Sequence, residues 1–204
     1  MASLFPPDLP PGFRYEDAFL TAGEEAALIH AIGDVTFSAF EMRGVVARRR
    51  VAFFGQAYDA TRPAEPMPEF LLPLRQRAGH WAGIDADALA MALINEYPPG
   101  APIGWHRDAP QYDIVIGVSL GSPCRMRLRP YMPPDAHAGG GDRRTTTHEL
   151  VLEPRSIYLI SGPARSAFEH SIPAVRVLRY SITFRSLRAG RSQPAGRSSE
   201  RARA

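Results

Sequence analysis

From residue 87 to residue 185 the chain is a succession of short apolar runs, each too brief for a long helix and each closed by a turn signal. The runs cover 90–97, 103–107, 113–120, 125–129, 149–152, 156–160 and 179–185. Pro98-Pro99-Gly100, Gly121-Ser122-Pro123, Glu153-Pro154 and Gly162-Pro163 punctuate them. Runs of this length between such punctuation read as strands. Many short strands in close succession build a barrel or a jelly roll. The 20 prolines and 17 glycines of the 204 residues agree with that reading, because they favour loops and strands over a helical bundle.

The first 89 residues read differently. Thr21-Ala22-Gly23-Glu24 is a capping box, in which hydroxyl and carboxylate satisfy each other's free backbone amides. Leu28, Ile29 and Ile32 then line one face of a short helix. A second helix is expected over 68–78, with Pro73 inside it and costing it regularity. Between them a strand pair is expected over 43–58, punctuated by Gly44 and Gly55. Residues 1–13 and the Pro-rich 60–68 read as irregular, and 135–147 as a long polar loop. Helices first and strands later is an α+β pattern, here mainly β. The expected division is an N-terminal extension with helices and a hairpin (1–89), a strand-rich core (90–187) and a basic tail (188–204). The tail sets Arg188, Arg191, Arg197, Arg201 and Arg203 among small polar residues, a composition that cannot bury a core and is expected to be disordered.

Charge and cysteine usage narrow the chemistry. All 24 basic residues are arginine, so Schiff-base lysines and the P-loop are excluded. A net charge of +3 permits a nucleic-acid partner without demanding one. The single cysteine, Cys124, excludes an internal disulfide and fits a reducing cytoplasm. Neither a signal peptide nor a run of 18 apolar residues is present, so the expectation is a cytoplasmic monomer with no membrane partner.

His106-Arg107-Asp108 is the first chemical motif. In a strand, residues i and i+2 point to the same face, so imidazole and carboxylate converge. A third ligand from a distant strand would complete a two-His-one-carboxylate face, which leaves positions on iron open. His-Arg-Asp also opens the protein-kinase catalytic loop, but that loop needs Asn five residues after the Asp, where this chain has Asp113. The second motif is the alternating run 179–185. Arg179, Ser181, Thr183 and Arg185 share one face, while Tyr180, Ile182 and Phe184 supply the apolar other. Two inward guanidiniums suit a dicarboxylate, which each grips through paired hydrogen bonds. Asn95 and Tyr97 form a further i, i+2 pair of donors. His170, just before the arginine strand, is the natural third ligand. His30 and His80 fall in helices, and His137 and His148 in or beside the Gly-rich loop.

Asn95-x-Tyr97, Gly100, His106-x-Asp108, Ser119-Leu120-Gly121, Gly162-x-x-Arg165, His170 and Arg179-x-Ser181-x-Thr183-Phe184-Arg185 together resemble the AlkB family of oxygenases, over about residues 93–185 and in order. The resemblance implies a double-stranded β-helix, a jelly roll with N-terminal helices and a lid hairpin. It implies Fe(II) on His106, Asp108 and His170, with 2-oxoglutarate and dioxygen (O2) as co-substrates. Arg179 would pair with the distal carboxylate of 2-oxoglutarate, and Asn95, Tyr97, Ser181 and Arg185 would complete that pocket. The family pattern often has Asn where this chain has Ser181. The implied chemistry is oxidation of a substrate C–H bond. On an N-methyl group, the hydroxylated product collapses and releases formaldehyde.

In the family, the segment before the catalytic strands holds a nucleotide. Here Arg48, Arg49 and Arg50 precede Phe53, Phe54 and Tyr58. Arg48 and Arg50 are the expected phosphate contacts, and Phe54 and Tyr58 the expected stacking surfaces for a flipped base. Direct-repair members carry an acid two residues after the metal aspartate, whereas this chain has Pro110. Three readings follow: demethylation or hydroxylation of a modified base in DNA or RNA, the same chemistry on a protein or small molecule, and a non-catalytic jelly-roll binding module. The complete ligand set argues against the third.

Overall fold

The computed structural model describes residues 9–42, 44–56, 65–133 and 146–188. Two antiparallel sheets face each other. The larger runs β1-β9-β6-β11-β4-β3-β2 and the smaller β5-β10-β7-β8. In chain order the strands are β1 (Phe13–Glu16), β2 (Ser38–Met42), β3 (Val45–Gly55), β4 (Met91–Tyr97), β5 (Ile103–His106), β6 (Tyr112–Leu120), β7 (Cys124–Pro130), β8 (His148–Leu152), β9 (Ile157–Ile160), β10 (Phe168–Ile172) and β11 (Arg179–Leu187). The helices are α1 (Ala22–Ile32), α2 (Leu72–Ala82) and the short α3 (Gly162–Ser166). This is the expected jelly roll.

The period-two pattern sorts side chains onto the two faces of the large sheet. On the outer face of the large sheet, Phe54, Ile94, Ile116, Val118, Ile182 and Phe184 pack against Ile32 of α1 and Leu74 and Ala78 of α2. On its inner face, Tyr97, Val115, Tyr158 and Ile160 meet Met126, Leu128, Leu150 and Ile172 of the small sheet. The helices therefore cover one sheet face and the small sheet covers the other. Burying a large aliphatic or aromatic side chain in this way is worth roughly 1.5–3 kcal/mol.

The ends of the elements follow local chemistry. Thr21 caps α1, its Oγ1 accepting from Glu24 N at 3.2 Å while Glu24 Oε2 accepts from Thr21 N at 2.7 Å. Glu25, buried in α1, accepts from Gly121 N at 2.8 Å and from Arg155 at 3.1 Å, which anchors the helix to the turn between β6 and β7. Four expectations need correction. The second helix begins at Leu72, so Pro73 stands in its first turn, where no amide hydrogen bond is lost and the ring costs nothing. The hairpin begins at Ser38 rather than 43, with Gly44 in its turn. Residues 13–16 and 168–172, read as irregular or left unassigned, are strands β1 and β10. Residues 186–187 belong to β11, and Arg188 N donates to Gln111 O at 3.0 Å, so the fold runs to residue 188. Residues 189–204, Tyr58 and most of the polar loop lie outside the described residues. β1, β2 and β3 belong to the same sheet as β4.

Gly117 in β6 is opposite Tyr158 of β9. A Cβ on Gly117 would overlap the Tyr158 ring. Only glycine lets that ring cross the sheet, where it stacks on Phe13 with centroids 6.0 Å apart. Gly117→Ala is expected to destabilise by about 1–3 kcal/mol through overpacking, read as a lowered urea midpoint with an unchanged slope. An unchanged midpoint would mean the ring relocates at no cost.

Candidate active site

A cavity of about 90 Å³ lies between the sheets, lined by side chains of β4, β6, β9 and β11 on one side and of β5 and β10 on the other. One water needs roughly 10–15 Å³ on this measure, so there is space for a small organic molecule. His106 at the end of β5 and His170 in β10 are directly paired across the strands. Their rings therefore project together, with centroids 4.3 Å apart. Asp108, just beyond β5, sets Oδ2 3.8 Å from His170 Nε2.

The charge states are set by burial and by neighbours. Burial, then the neighbouring His106 ring, push His170 down to about 3. Burial likewise lowers His106, against the pull of Asp108. Burial alone would raise the Asp108 carboxyl, but Arg185 and the two histidines outweigh it and hold it well below the usual carboxylate range. At neutral pH the trio is two neutral imidazoles and one carboxylate, so the contact between His170 and Asp108 is not an ion pair. Among the described residues no three His, Cys, Asp or Glu side chains already stand at metal-ligand spacing, and in this trio Asp108 Oδ1 is drawn to Arg185 Nη2 at 2.9 Å. The donor chemistry nevertheless fits Fe(II): two unprotonated nitrogens and one ionised oxygen donor, a set that leaves coordination positions open. His106 Nδ1 lies 2.9 Å from Gly104 O, which orients the ring so that its other nitrogen is the available ligand.

Arg179 sits in the central strand of the large sheet, beside Tyr97 of β4, and is fully buried. Its Nη2 donates to Ser119 Oγ at 2.9 Å, and its charge lies 4.9 Å from the centre of the Tyr97 ring. Among the described residues, its Nε and Nη1 have no hydrogen-bond partner. A buried guanidinium without an acid is costly, so this group is built to meet an anion. Ser181 and Asn95, paired with each other across β11 and β4, line the cavity next to it, together with Tyr97. Arg185 was expected to complete the co-substrate pocket. It lines the cavity, but Nε and Nη2 donate to Asp108 Oδ1 at 3.2 and 2.9 Å and Nη1 to Thr183 Oγ1 at 3.0 Å. It orients the carboxylate. Arg165, also buried, donates through Nη2 to the carbonyls of Asp108, Ala109 and Tyr112 at 3.1, 2.6 and 3.1 Å, tying down the segment that follows β5.

The hairpin contributes a different set of residues from the one expected. Phe40 of β2 and Arg49 and Phe53 of β3 line the cavity. The guanidinium of Arg49 stacks over Phe40 at 4.2 Å, and its Nε donates to Asn95 Oδ1 at 3.3 Å. Arg50 points to the opposite sheet face and pairs with Glu96, its Nη2 reaching Oε1 at 2.9 Å. Phe54 is buried in the helix-side core. Arg48 is absent from the cavity lining, its Nη1 lying beside Gly100. Alternation explains the miss. Register pairs Val51 with Asn95 and Phe53 with Leu93, so odd-numbered residues of β3 face the cavity and even-numbered ones face away. Both faces carry an arginine and a phenylalanine, so nothing local distinguished them. The pairing with β4 was the only signal.

Comparison with known proteins adds independent findings. Residues 43–188 match the model of the 2OG-Fe(II) oxygenase superfamily. A protein of Arabidopsis thaliana described as an alkylated DNA repair protein ALKBH8 homolog is 30% identical over 182 residues, covering 80% of this chain and 51% of the relative. The alpha-ketoglutarate-dependent dioxygenase AlkB of Escherichia coli is 29% identical over 138 residues, covering 62% of this chain and 59% of the relative. This chain thus spans between half and three fifths of the length of these two relatives. Among solved structures, OsALKBH1 superimposes with a TM-score of 0.62 at 15% identity, covering 87% of this chain and 99% of that one. A 2OG-Fe(II) oxygenase family oxidoreductase from Burkholderia pseudomallei gives 0.60 at 16% identity, covering 86% of this chain and 85% of that one. At these identities the two structures bear on the fold alone.

Proposed function

The chain belongs to the 2OG-Fe(II) oxygenase superfamily, and we propose that it is an Fe(II)- and 2-oxoglutarate-dependent dioxygenase that demethylates or hydroxylates a modified base in DNA or RNA. One observation carries the enzymatic part. A buried Arg179, with no acid beside it among the described residues, shares a strand face with Arg185, which grips Asp108 of the His106–Asp108–His170 trio. A dicarboxylate with one end at the trio and the other at Arg179 would satisfy both. His106, Asp108 and His170 would hold Fe(II). Arg179, with Ser119, Ser181, Asn95 and Tyr97 about it, would hold 2-oxoglutarate. When bound, these groups and dioxygen supply the oxidising power for a C–H bond.

The chain's own residues do the rest. Arg185 keeps Asp108 ionised and aimed. Arg165 fixes the backbone of residues 108–112, so that the carboxylate does not drift. The two sheets exclude bulk water from the trio, which strengthens each electrostatic contact. In the cavity lining, Phe40 and Phe53 offer flat apolar faces and Arg49 a stacked cation, a combination suited to a flipped base and its phosphate. The relatives' descriptions, a DNA repair homolog and an AlkB dioxygenase, support nucleic acid as the substrate class.

The test is succinate release stimulated by methylated and unmethylated oligonucleotides. Phe53→Ala is expected to lower oligonucleotide-stimulated turnover by roughly 5- to 150-fold, the equivalent of ~1–3 kcal/mol of stacking, with uncoupled turnover retained. Arg50→Ala, on the opposite face, is expected to leave stimulation intact. No stimulation by any oligonucleotide, alongside stimulation by methylated peptides or metabolites, would move the substrate to protein or small molecules.

A further inference from the structure

Among the described residues, neither α1 nor α2 covers the outer face of the small sheet, since both pack on the large sheet. Its inner strand β7 turns Arg125, Arg127 and Arg129 to that face, alternating with the buried Cys124, Met126 and Leu128. At i, i+2 spacing these guanidiniums stem from points roughly 6–7 Å apart along one line. Two have acids: Arg125 lies 3.5 Å from Glu149, and Arg129 lies 2.5 Å from Glu169. Arg127, between them, has no ion pair among the described residues. Its Nε is buried and without a hydrogen-bond partner, as is the Oγ of Ser171, its directly paired neighbour on β10. Trp105 of β5 completes the centre, with Arg127 and Arg129 stacked over its ring at 5.3 and 4.2 Å. Glu149 of β8 stands directly opposite Arg127 but is engaged by Arg125, so the two buried polar atoms at the middle of the row have no partner among the described residues, and an oxyanion beside the indole would satisfy both.

We propose that this face is a phosphate-binding surface, anchored by Arg127 and Ser171, that holds a nucleic-acid strand outside the catalytic cavity. It rests on the reading of nucleic acid as substrate and adds a second contact surface to it. Stacked guanidinium on indole is a platform on which an unpaired base also stacks, so the surface suits a single strand. It is also coupled to the site, because Trp105 and His106 are consecutive in β5 and project to opposite faces. A strand anchored there raises the local concentration of bases at the cavity without altering the chemistry within it.

The experiment is fluorescence anisotropy of a labelled single-stranded oligonucleotide on the full chain, across a salt series, for wild type, Arg127→Gln, Arg127→Lys and Arg125→Gln. Thermal melting and uncoupled 2-oxoglutarate turnover serve as controls. Arg127→Gln is expected to weaken binding about tenfold and to flatten the log–log salt slope by about 0.7, one phosphate's worth for a single strand. Arg127→Lys is expected to restore the slope but not the full affinity, since an ammonium lacks the stacking plane. Should Arg127→Gln melt early, Arg125→Gln, on an exposed side chain, carries the test with a smaller loss in the same direction. Wild-type binding that Arg127→Gln and Arg125→Gln leave unchanged overturns the surface and spares the nucleic-acid reading. Absence of salt-dependent oligonucleotide binding by wild type overturns both. Equal competition by polyglutamate and by oligonucleotide, lost together in Arg127→Gln, overturns the nucleic-acid assignment in favour of an acidic protein partner.

Discussion

Arg179→Met is expected to abolish productive 2-oxoglutarate binding while leaving the protein without its co-substrate at least as stable as wild type. Both effects have one cause. The guanidinium is fully buried, and two of its nitrogens have no partner among the described residues. Removing it relieves a desolvated charge, and replacing buried ionic groups by well-packed apolar ones is often neutral or stabilising. The same removal leaves a carboxylate of the co-substrate unpaired in a dry pocket, a loss of about 2–5 kcal/mol. That corresponds to roughly 30-fold to several thousand-fold in affinity. Arg179→Lys should recover only part, because an ammonium cannot reproduce the planar fork. Isothermal titration with 2-oxoglutarate, paired with urea unfolding, reads both quantities. Wild-type affinity in the methionine variant would place the anchor elsewhere, and a large loss of stability would mean the guanidinium is compensated within the fold.

Replacing a member of the trio is expected to end turnover altogether, but the choice of substitution matters. His106→Ala removes one nitrogen donor and leaves no charge behind. Asp108→Ala leaves Arg185 buried with two of its three nitrogens unpaired, since Nε and Nη2 both donate to Asp108 Oδ1. Breaking such a pair costs about 3–5 kcal/mol, enough to confuse lost chemistry with lost folding. Asp108→Asn keeps an oxygen for Arg185 and removes the charge that would bind iron, so it is the cleaner variant. The expectation is less than one-hundredth of wild-type succinate release for His106→Ala and Asp108→Asn, an iron content well below one per chain, and melting within a few degrees of wild type. Full turnover in either variant would show that the metal is held by other residues.

Much of the site was legible because the rules that expose it are local. The i, i+2 spacing set His106 and Asp108 together, although β5 ends at His106 and Asp108 lies just beyond it, and strand periodicity separated Arg179 from Tyr180. The capping box at Thr21 and Glu24 was equally visible, because both partners lie within one helical turn. His170 was legible as a candidate but its strand was not. β10 is five residues long and mixes Glu, His and Ser with its apolar residues, so no run marked it.

The sequence by itself determined which residues of each strand share a face, that the chain builds sheets after residue 87, and which residue types were available to hold a metal and a dicarboxylate. Period two is a property of the backbone and needs no partner. Only the tertiary structure decided which of the two faces looks into the cavity. β3 offers Arg49 and Phe53 on one side and Arg50 and Phe54 on the other, and the choice was made by its register with β4, where Val51 meets Asn95. The contact of Arg185 with Asp108 was decided in the same way. The distance between them, 77 residues along the chain, closes only when β11 and the end of β5 are brought together across the two sheets. A one-residue phase is invisible to any local rule, because both phases bury an aromatic, and pairing between distant strands is what selects one.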